Sequence, residues 1–143
     1  MGLFFEDFIL GQAYVGRSRT VTEADLINFA GVSWDFYPLH IDKEFAKNGM
    51  FGRRVAHGTF TFAAMTGAIS QLEVFGETEA LLGADGLKFI RPVFIGDTIT
   101  PKFSVLGSKD HDKGGIITLT LEVSNQRMEV VMVCKVNLLI KKR

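Results

Sequence analysis

Residues 58–75 read GTFTFAAMTGAISQLEVF, and this stretch decides the fold. Its apolar side chains are spread around the whole circumference of a helix rather than along one stripe. The pattern predicts one long helix over residues 58–75, about 27 Å long at a rise of about 1.5 Å per residue. Because such a helix would expose apolar surface on any open side, the rest of the chain must cover it on most sides.

The segments that can cover the helix show the alternating pattern of half-buried strands. They lie at residues 86–89, 98–105, 117–123 and 130–140, with a weaker candidate at 12–20. Pro101 indicates an early or edge position in its strand, and residues 110–115 are typical of a turn. One apolar helix with four or five mostly antiparallel strands indicates an α+β fold, most simply a curved antiparallel sheet wrapped around the central helix.

A second, shorter helix is predicted near the N-terminus. Thr22-Glu23-Ala24-Asp25 is typical of a capping box that opens a helix, and Gly31 is typical of a helix end. Residues 32–54 show no periodicity, so we expect an ordered loop there with one helical turn near Lys43–Ala46. No repeat or linker divides the chain, which indicates one domain over residues 1–143.

Composition excludes several classes of function. The 143 residues include 16 basic and 16 acidic side chains, so no general attraction to nucleic acid or to an anionic membrane is expected. The single cysteine, Cys134, precludes an intrachain disulfide, which is typical of a reducing compartment. The N-terminus lacks a basic segment before an apolar run, and the longest uncharged stretch, residues 55–72, is too polar for a membrane span. We therefore expect a soluble cytoplasmic protein.

A carboxylate and an imidazole lie close together in residues 33–42, SWDFYPLHID. Histidine exchanges protons near neutral pH, and a nearby carboxylate can share a water molecule with it. Pro38 stiffens the link between Asp35 and His40, which favours holding both side chains on one side of a pocket. The pattern indicates an acid–base pair, although an Asp in a turn and a His before a helical turn would give the same spacing.

A second candidate feature is the pair His57-Gly58 at the start of the predicted long helix. The first backbone N–H groups of a helix lack internal partners, and the helix dipole favours negative charge there. Glycine lets a ligand approach that backbone closely. A thioester carbonyl bound here would be polarised, and an enolate-like oxygen would be stabilised. The simpler interpretation, that His57-Gly58 only starts the helix, remains open on this motif alone.

Together the two motifs resemble the MaoC-like dehydratase and R-specific enoyl-CoA hydratase family of hotdog-fold proteins. The family's signature runs approximately Gly-Asp-x-Asn-Pro-Leu-His, followed by a His-Gly at the head of the central helix. This chain has Trp34-Asp35-Phe36-Tyr37-Pro38-Leu39-His40 and then His57-Gly58, with a further similar segment at residues 88–98. The similarity extends over about residues 5–140, nearly the whole chain.

The resemblance implies a hotdog fold and usually a homodimer or higher homo-oligomer. It implies that Asp35 and His40 bind the catalytic water and that the Gly58 N–H donates to the thioester oxygen as an oxyanion hole. Water would add to a trans-2-enoyl thioester of coenzyme A or acyl carrier protein, commonly giving an (R)-3-hydroxyacyl product, or would leave in the reverse reaction.

The candidate substrate-binding residues are aromatic, basic or histidine side chains near these motifs: Trp34, Tyr37, Arg53, Arg54, His57 and Arg91. Trp34 stands where the family usually has Gly, and Tyr37 stands where it usually has Asn, so we expect these two residues to narrow the acyl pocket. Arg53 and Arg54 precede the long helix and are suited to the phosphates of coenzyme A.

The expected activity is that of a cofactor-free hydro-lyase. No HExxH or CxxC metal motif and no GxGxxG or P-loop nucleotide motif occurs, so we expect no metal, and coenzyme A enters only as part of the substrate. Two alternatives remain open. The hotdog fold also hosts thioesterases that hydrolyse the same substrates, and the chain could instead be a non-catalytic domain that binds acyl thioesters.

Overall fold

A computed structural model describes residues 1–143 and places six strands in one sheet whose pairings are all antiparallel. The strands are β1 (Ala13–Val15), β2 (Arg19–Thr20), β3 (Thr78–Phe89), β4 (Thr98–His111), β5 (Gly114–Ser124) and β6 (Val130–Ile140). Their order across the sheet is β1-β4-β5-β6-β3, and β2 also pairs with β4. The sheet is curved, and the predicted α+β fold class is confirmed.

Four α-helices accompany the sheet. They are α1 (Glu23–Ser33), α2 (Pro38–Ile41), α3 (Lys43–Lys47) and α4 (Gly58–Gly67). α4 is the central helix, and it shares one buried apolar core with the sheet; the core includes Phe60, Met65, Phe103, Leu119 and Leu121. No helix of the chain combines the length and the apolar character that a membrane span requires.

The predicted helix over residues 58–75 is wrong in its length. The α-helix ends at Gly67 and continues as two short 3-10 turns, Ala68–Gln71 and Glu73–Phe75. Hydroxyl groups explain the change, because the Thr66 hydroxyl donates to the carbonyl of Phe62 at 2.8 Å and the Ser70 hydroxyl to that of Gly67 at 2.7 Å. Such side-chain bonds compete with the backbone bonds of a regular helix, and glycine lowers helix propensity further.

The segment before α4 contains more helix than its lack of periodicity predicts. The Thr22 capping box is confirmed, since the Thr22 hydroxyl accepts from Asp25 N and the Asp25 carboxylate accepts from Thr22 N. The predicted stop at Gly31 is wrong, because α1 continues to Ser33 and ends where Trp34 takes a left-handed conformation. Within residues 32–54, α3 confirms the helical turn predicted near Lys43–Ala46, whereas the helix α2, which starts at Pro38, was not predicted.

The predicted strands are confirmed, with different lengths. In β5 the apolar residues Ile117, Leu119, Leu121 and Val123 are buried, as the alternation predicts. Residues 12–20 form two short strands rather than one, on either side of the buried Gly16. Pro101 lies near the start of β4, in the early strand position that its missing N–H favours. The turn predicted at residues 110–115 is tighter, since only residues 112 and 113 separate β4 from β5.

Candidate active site

The end of α1 places the carboxylate of the site. Trp34 caps the helix with φ of 64° and ψ of 13°, and this left-handed residue turns the chain so that Asp35 follows immediately. One carboxylate oxygen of Asp35, Oδ1, accepts a hydrogen bond from Tyr37 N at 3.2 Å. That local bond forms a turn and leaves the other oxygen, Oδ2, directed at a neighbouring histidine.

The neighbouring histidine is His40, which α2 carries. Its Nδ1 lies 2.7 Å from the carbonyl oxygen of Val55, and because a carbonyl only accepts, Nδ1 must carry the proton. In the neutral ring Nε2 is then an acceptor, and it lies 3.9 Å from Asp35 Oδ2. This distance is too long for a direct hydrogen bond. Two acceptors at this separation are suited to one water molecule that donates to both.

The start of α4 supplies a free donor to the same place. The N–H of Gly58 lies in the first turn of the helix and makes no backbone hydrogen bond. A cavity of about 310 Å³ is lined by both His40 and Gly58. The preceding residues hold the helix start in position, since Ala56 N donates to Val93 O at 2.7 Å and Val55 bridges to Phe94. His40 of the first motif and Gly58 of the second therefore meet at one cavity, and Asp35 lies beside His40 but does not itself line the cavity.

His57 lies beneath the pair rather than in the cavity. Its side chain is 1% exposed, and its ring stacks on that of His40 with centroids 3.8 Å apart. Its Nε2 lies 2.9 Å from the main-chain oxygen of Asp35, while Nδ1 is buried without a partner. Burial lowers the pKa of His57 below its ordinary value, and the neighbouring His40 lowers it further, against an opposing effect of Asp35.

The other predicted substrate contacts are spread over the surroundings. Of the three arginines, only Arg91 lines the cavity. Arg53 and Arg54 line a neighbouring cleft with Lys43 and Lys47; Arg53 lies over the ring of Phe94, and Arg54 pairs with Glu23.

The two aromatic residues of the motif, Trp34 and Tyr37, are both exposed, and neither lines the cavity. The Tyr37 ring stands edge-on to that of His40, with centroids 6.3 Å apart.

Three residues that the sequence analysis did not single out belong to the site. Val55 holds the imidazole of His40 through its carbonyl oxygen. Thr61 lines the cavity one helical turn after His57, and its buried hydroxyl has no partner. Phe89 lines the cavity from β3, and a methyl group at Gly58 would come within 2.8 Å of its ring. Thr61 follows His57 by one helical turn, and this spacing could have indicated that Thr61 lies at the site. No local sequence pattern connects residues 55 or 89 to the site.

The site also offers possible ligands for a metal ion. Asp35, His40 and His57 each have a ligand atom within 4.8 Å of the others. Carbonyl oxygens already occupy His40 Nδ1 and His57 Nε2, which leaves one nitrogen of each ring and the carboxylate for a cation. The expected absence of a metal stays a prediction.

The fold and the site define a class of protein in which a sheet wraps a helix, and a carboxylate and an imidazole lie close together near the N-terminus of that helix. The MaoC like domain family matches residues 7–127, and the chain belongs to this family. The (R)-specific enoyl-CoA hydratase of Rhodospirillum rubrum is 36% identical over 104 residues, which make up 73% of this chain and 70% of that protein. Protein MaoC of Klebsiella aerogenes is 41% identical over 96 residues, 67% of this chain, but the match spans only 28% of its length.

Solved structures agree with the family assignment. A monoamine oxidase regulatory protein from Archaeoglobus fulgius superimposes with a TM-score of 0.93 at 39% identity, over 99% of this chain and 96% of that chain. A Mycobacterium tuberculosis protein described as a double hotdog fold superimposes with a TM-score of 0.87 at 18% identity, over 99% of this chain and 45% of that chain. The predicted hotdog fold is confirmed, and the chain is an enzyme of the hydratase and dehydratase class.

Proposed function

We propose that this enzyme adds water to a trans-2-enoyl thioester, or removes it from the 3-hydroxyacyl thioester, with Asp35 and His40 as the acid–base pair. The observation that carries the proposal is the 3.9 Å gap between His40 Nε2 and Asp35 Oδ2, beside a cavity that both His40 and Gly58 line. A water held in this gap would donate one hydrogen to each acceptor and keep its lone pairs free for attack.

In the hydration direction the water oxygen attacks Cβ of the enoyl group while one of the two acceptors takes a proton from it. The electrons of the double bond move toward the thioester, and the enolate-like oxygen accepts a hydrogen bond from the Gly58 N–H. A proton delivered to Cα completes the addition, so the product contains every atom of the water. The name of the Rhodospirillum rubrum relative supports an (R)-3-hydroxyacyl product.

The coenzyme end of the substrate would meet the arginines. Arg91 lines the cavity. Arg53 and Arg54 lie in a separate basic cleft, and Arg54 directly precedes the cavity residue Val55 in the sequence. Guanidinium groups bind phosphate with charge-assisted hydrogen bonds. These arginines therefore support coenzyme A as the group that carries the acyl chain, and acyl carrier protein is the other candidate. Trp34 and Tyr37 are exposed and lie outside the cavity, so their contact with the acyl group stays a prediction. No other cofactor and no metal is required for this chemistry.

A homodimer is part of the proposal, with residues 1–143 acting as one domain. β3 forms one edge of the sheet, so one side of its backbone is unpaired. Around this edge several apolar side chains are exposed: Leu81, Leu82, Leu87, Phe89 and Ile90. A second copy that pairs along β3 would cover them and would also close the side of the cavity on which Phe89 stands.

An assay with crotonyl-CoA tests the proposed reaction. Hydration removes the enoyl absorbance without releasing free thiol, whereas a thioesterase releases thiol and leaves the enoyl group intact. We expect loss of absorbance, no thiol and a 3-hydroxybutyryl product of (R) configuration by chiral chromatography. Thiol release with crotonate as the product would contradict the proposal in favour of the thioesterase, and the absence of both thiol release and absorbance change would favour a non-catalytic binding domain.

A further inference from the structure

His57 touches both members of the acid–base pair from the buried side. Its Nε2 lies 2.9 Å from the main-chain oxygen of Asp35, and its ring stacks on that of His40 with an angle of 23° between the planes. The ring of Phe29 stands edge-on against it at 5.0 Å and fills the interior side. Because His57 is 1% exposed and does not line the cavity, we do not expect it to contact the substrate directly.

The hydrogen bonds of His57 define its chemical state. The carbonyl of Asp35 only accepts, so Nε2 carries the proton and Nδ1 carries the lone pair. Nδ1 is buried and has no partner, so a charged ring would bury a second N–H without a hydrogen bond. Burial also lowers the pKa of His57. A ring that stays neutral is unsuited to delivering protons and suited to holding its neighbours.

The segment that carries Asp35 needs such a support. Residues 31–37 are all exposed, and Trp34 has the left-handed conformation that L-residues adopt at a cost. Apart from the bond to His57, the hydrogen bonds of Asp35 are made to Ser33 and Tyr37 within the same segment. The bond from His57 therefore ties this exposed segment to the interior of the protein.

We propose that His57 is a positioning residue that sets the gap between Asp35 and His40, because its Nε2–H fixes the main chain of Asp35 while its ring fixes the plane of His40. The inference rests on the proposed function of the pair. It assigns His57 no contact with substrate and no proton transfer. It predicts that the Nε2–H donor of His57 matters for turnover and not for substrate affinity.

Two substitutions separate the donor from the ring. His57→Phe keeps an aromatic ring against His40 and removes the donor, and we expect kcat to fall about 10- to 100-fold with KM unchanged. His57→Gln can place an amide N–H near the position of Nε2, and we expect kcat within about threefold of the wild type, since a single donor is restored. His111→Phe serves as the matched control, since His111 lies at the β4–β5 turn, paired with Asp112. A His57→Phe enzyme with the wild-type kcat would overturn the inference.

A double-mutant comparison excludes a merely structural role. If His57 acts through Asp35, then His57→Phe lowers kcat in the wild-type background and causes no further loss in an Asp35→Asn background. Equal fold losses in both backgrounds would overturn the inference. A crystal structure of His57→Phe gives a reading that does not depend on activity: the inference expects the Asp35–His40 gap to change, and an unchanged gap contradicts it. An inactive wild type would instead contradict the proposed function.

Discussion

Trp34 occupies the residue position that places Asp35, and it does so in a conformation that favours glycine. Its φ is 64°, and its side chain is 85% exposed, so the indole forms little packing to offset the backbone cost. The left-handed helix end explains why the related signature has Gly at this position. The replacement of the family's usual Gly by Trp34 therefore changes the backbone energy as well as the side-chain size.

Replacing this tryptophan should stabilise the fold. We expect Trp34→Gly to raise the free energy of unfolding by about 1 kcal/mol, since relief of the left-handed strain exceeds the added entropy of the unfolded chain. Denaturant unfolding measures the change. Trp34→Ala is the matched control, because it removes the indole but keeps Cβ and hence the strain. A gain with Ala equal to that with Gly would show that the indole, and not the backbone, is the source of the cost.

The stability of the protein should depend on pH through His57. Burial lowers the pKa of its imidazole below 6.5 in the folded state. Above this pH the folded and unfolded chains both hold a neutral ring. As the pH falls below it, the unfolded chain takes up the proton first, so the free energy of unfolding decreases. Between about pH 6.5 and 5, the free energy of unfolding should decrease more steeply with falling pH for the wild type than for His57→Gln. Parallel curves would contradict this assignment.

The sequence identifies candidate site residues better than it identifies their contacts. Asp35 and His40 are recognisable because one short motif carries both, and Gly58 because a glycine follows a histidine at a helix start. The bond between His57 and Asp35 joins residues 22 positions apart, and the bond between His40 and Val55 joins residues 15 apart. No local pattern encodes either bond, so the support of the pair emerges only with the folded chain.

At the scale of elements, the contact between α4 and β3 controls access to the helix start. A methyl group at Gly58 would lie 2.8–2.9 Å from three atoms of the Phe89 ring. Phe89 lines the cavity, so its ring has room to turn away even where a second copy covers its outer side. Glycine at this position thus keeps open the approach to the free N–H of the helix.

Adding that methyl group should impair catalysis more than folding. We expect Gly58→Ala to lower kcat/KM about tenfold or more, because the methyl displaces the substrate from the donor. The loss of stability should lie below the roughly 1–3 kcal/mol typical of overpacking, because the ring of Phe89 can move. Steady-state kinetics and thermal unfolding of the same preparation check both statements. Wild-type kcat/KM in Gly58→Ala would exclude the helix start as the oxyanion site.

The end of α4 shows where hydrophobic periodicity stops predicting secondary structure correctly. Apolar spacing predicts helix through residue 75, and the buried side chains of the 3-10 turns, such as Ile69 and Phe75, do continue the apolar surface. What periodicity does not weigh is the competition of the Thr66 and Ser70 hydroxyls for backbone carbonyls. The short helix α2 was missed for a related reason, because it is set by Pro38 rather than by a repeating pattern. The helix α3, which the Asp42 side chain caps, is the helical turn predicted near Lys43–Ala46.

At the scale of the whole molecule, the two edges of the sheet differ. β1 has three residues, whereas β3 has twelve and carries exposed apolar side chains. A long apolar edge of this kind presents unpaired N–H and C=O groups with which a strand of another chain can pair. The sequence alone predicts the strands but not which of them lies at the edge, because strand order depends on pairings between distant segments.

A charge on this edge should separate the proposed dimer. We expect Leu82→Lys to convert the dimer to a monomer in sedimentation equilibrium, because a buried, unpaired ammonium group would oppose the interface. Leu106→Lys on β4 is the matched control, since both leucines are 49% exposed. A wild-type chain that sediments as a monomer, or a Leu82→Lys variant that remains a dimer, would contradict an interface along β3.

The central claim is that Asp35 and His40 together activate one water, and the turnover of Asp35→Asn tests it most directly. Asparagine keeps the shape of the side chain but replaces one acceptor by a donor, so the held water loses one of its two partners. We predict that kcat for crotonyl-CoA hydration falls by about 100-fold or more, while Asp112→Asn, in the other Asp–His pair of the chain, leaves kcat unchanged. An Asp35→Asn enzyme that hydrates crotonyl-CoA at the wild-type rate would contradict the account.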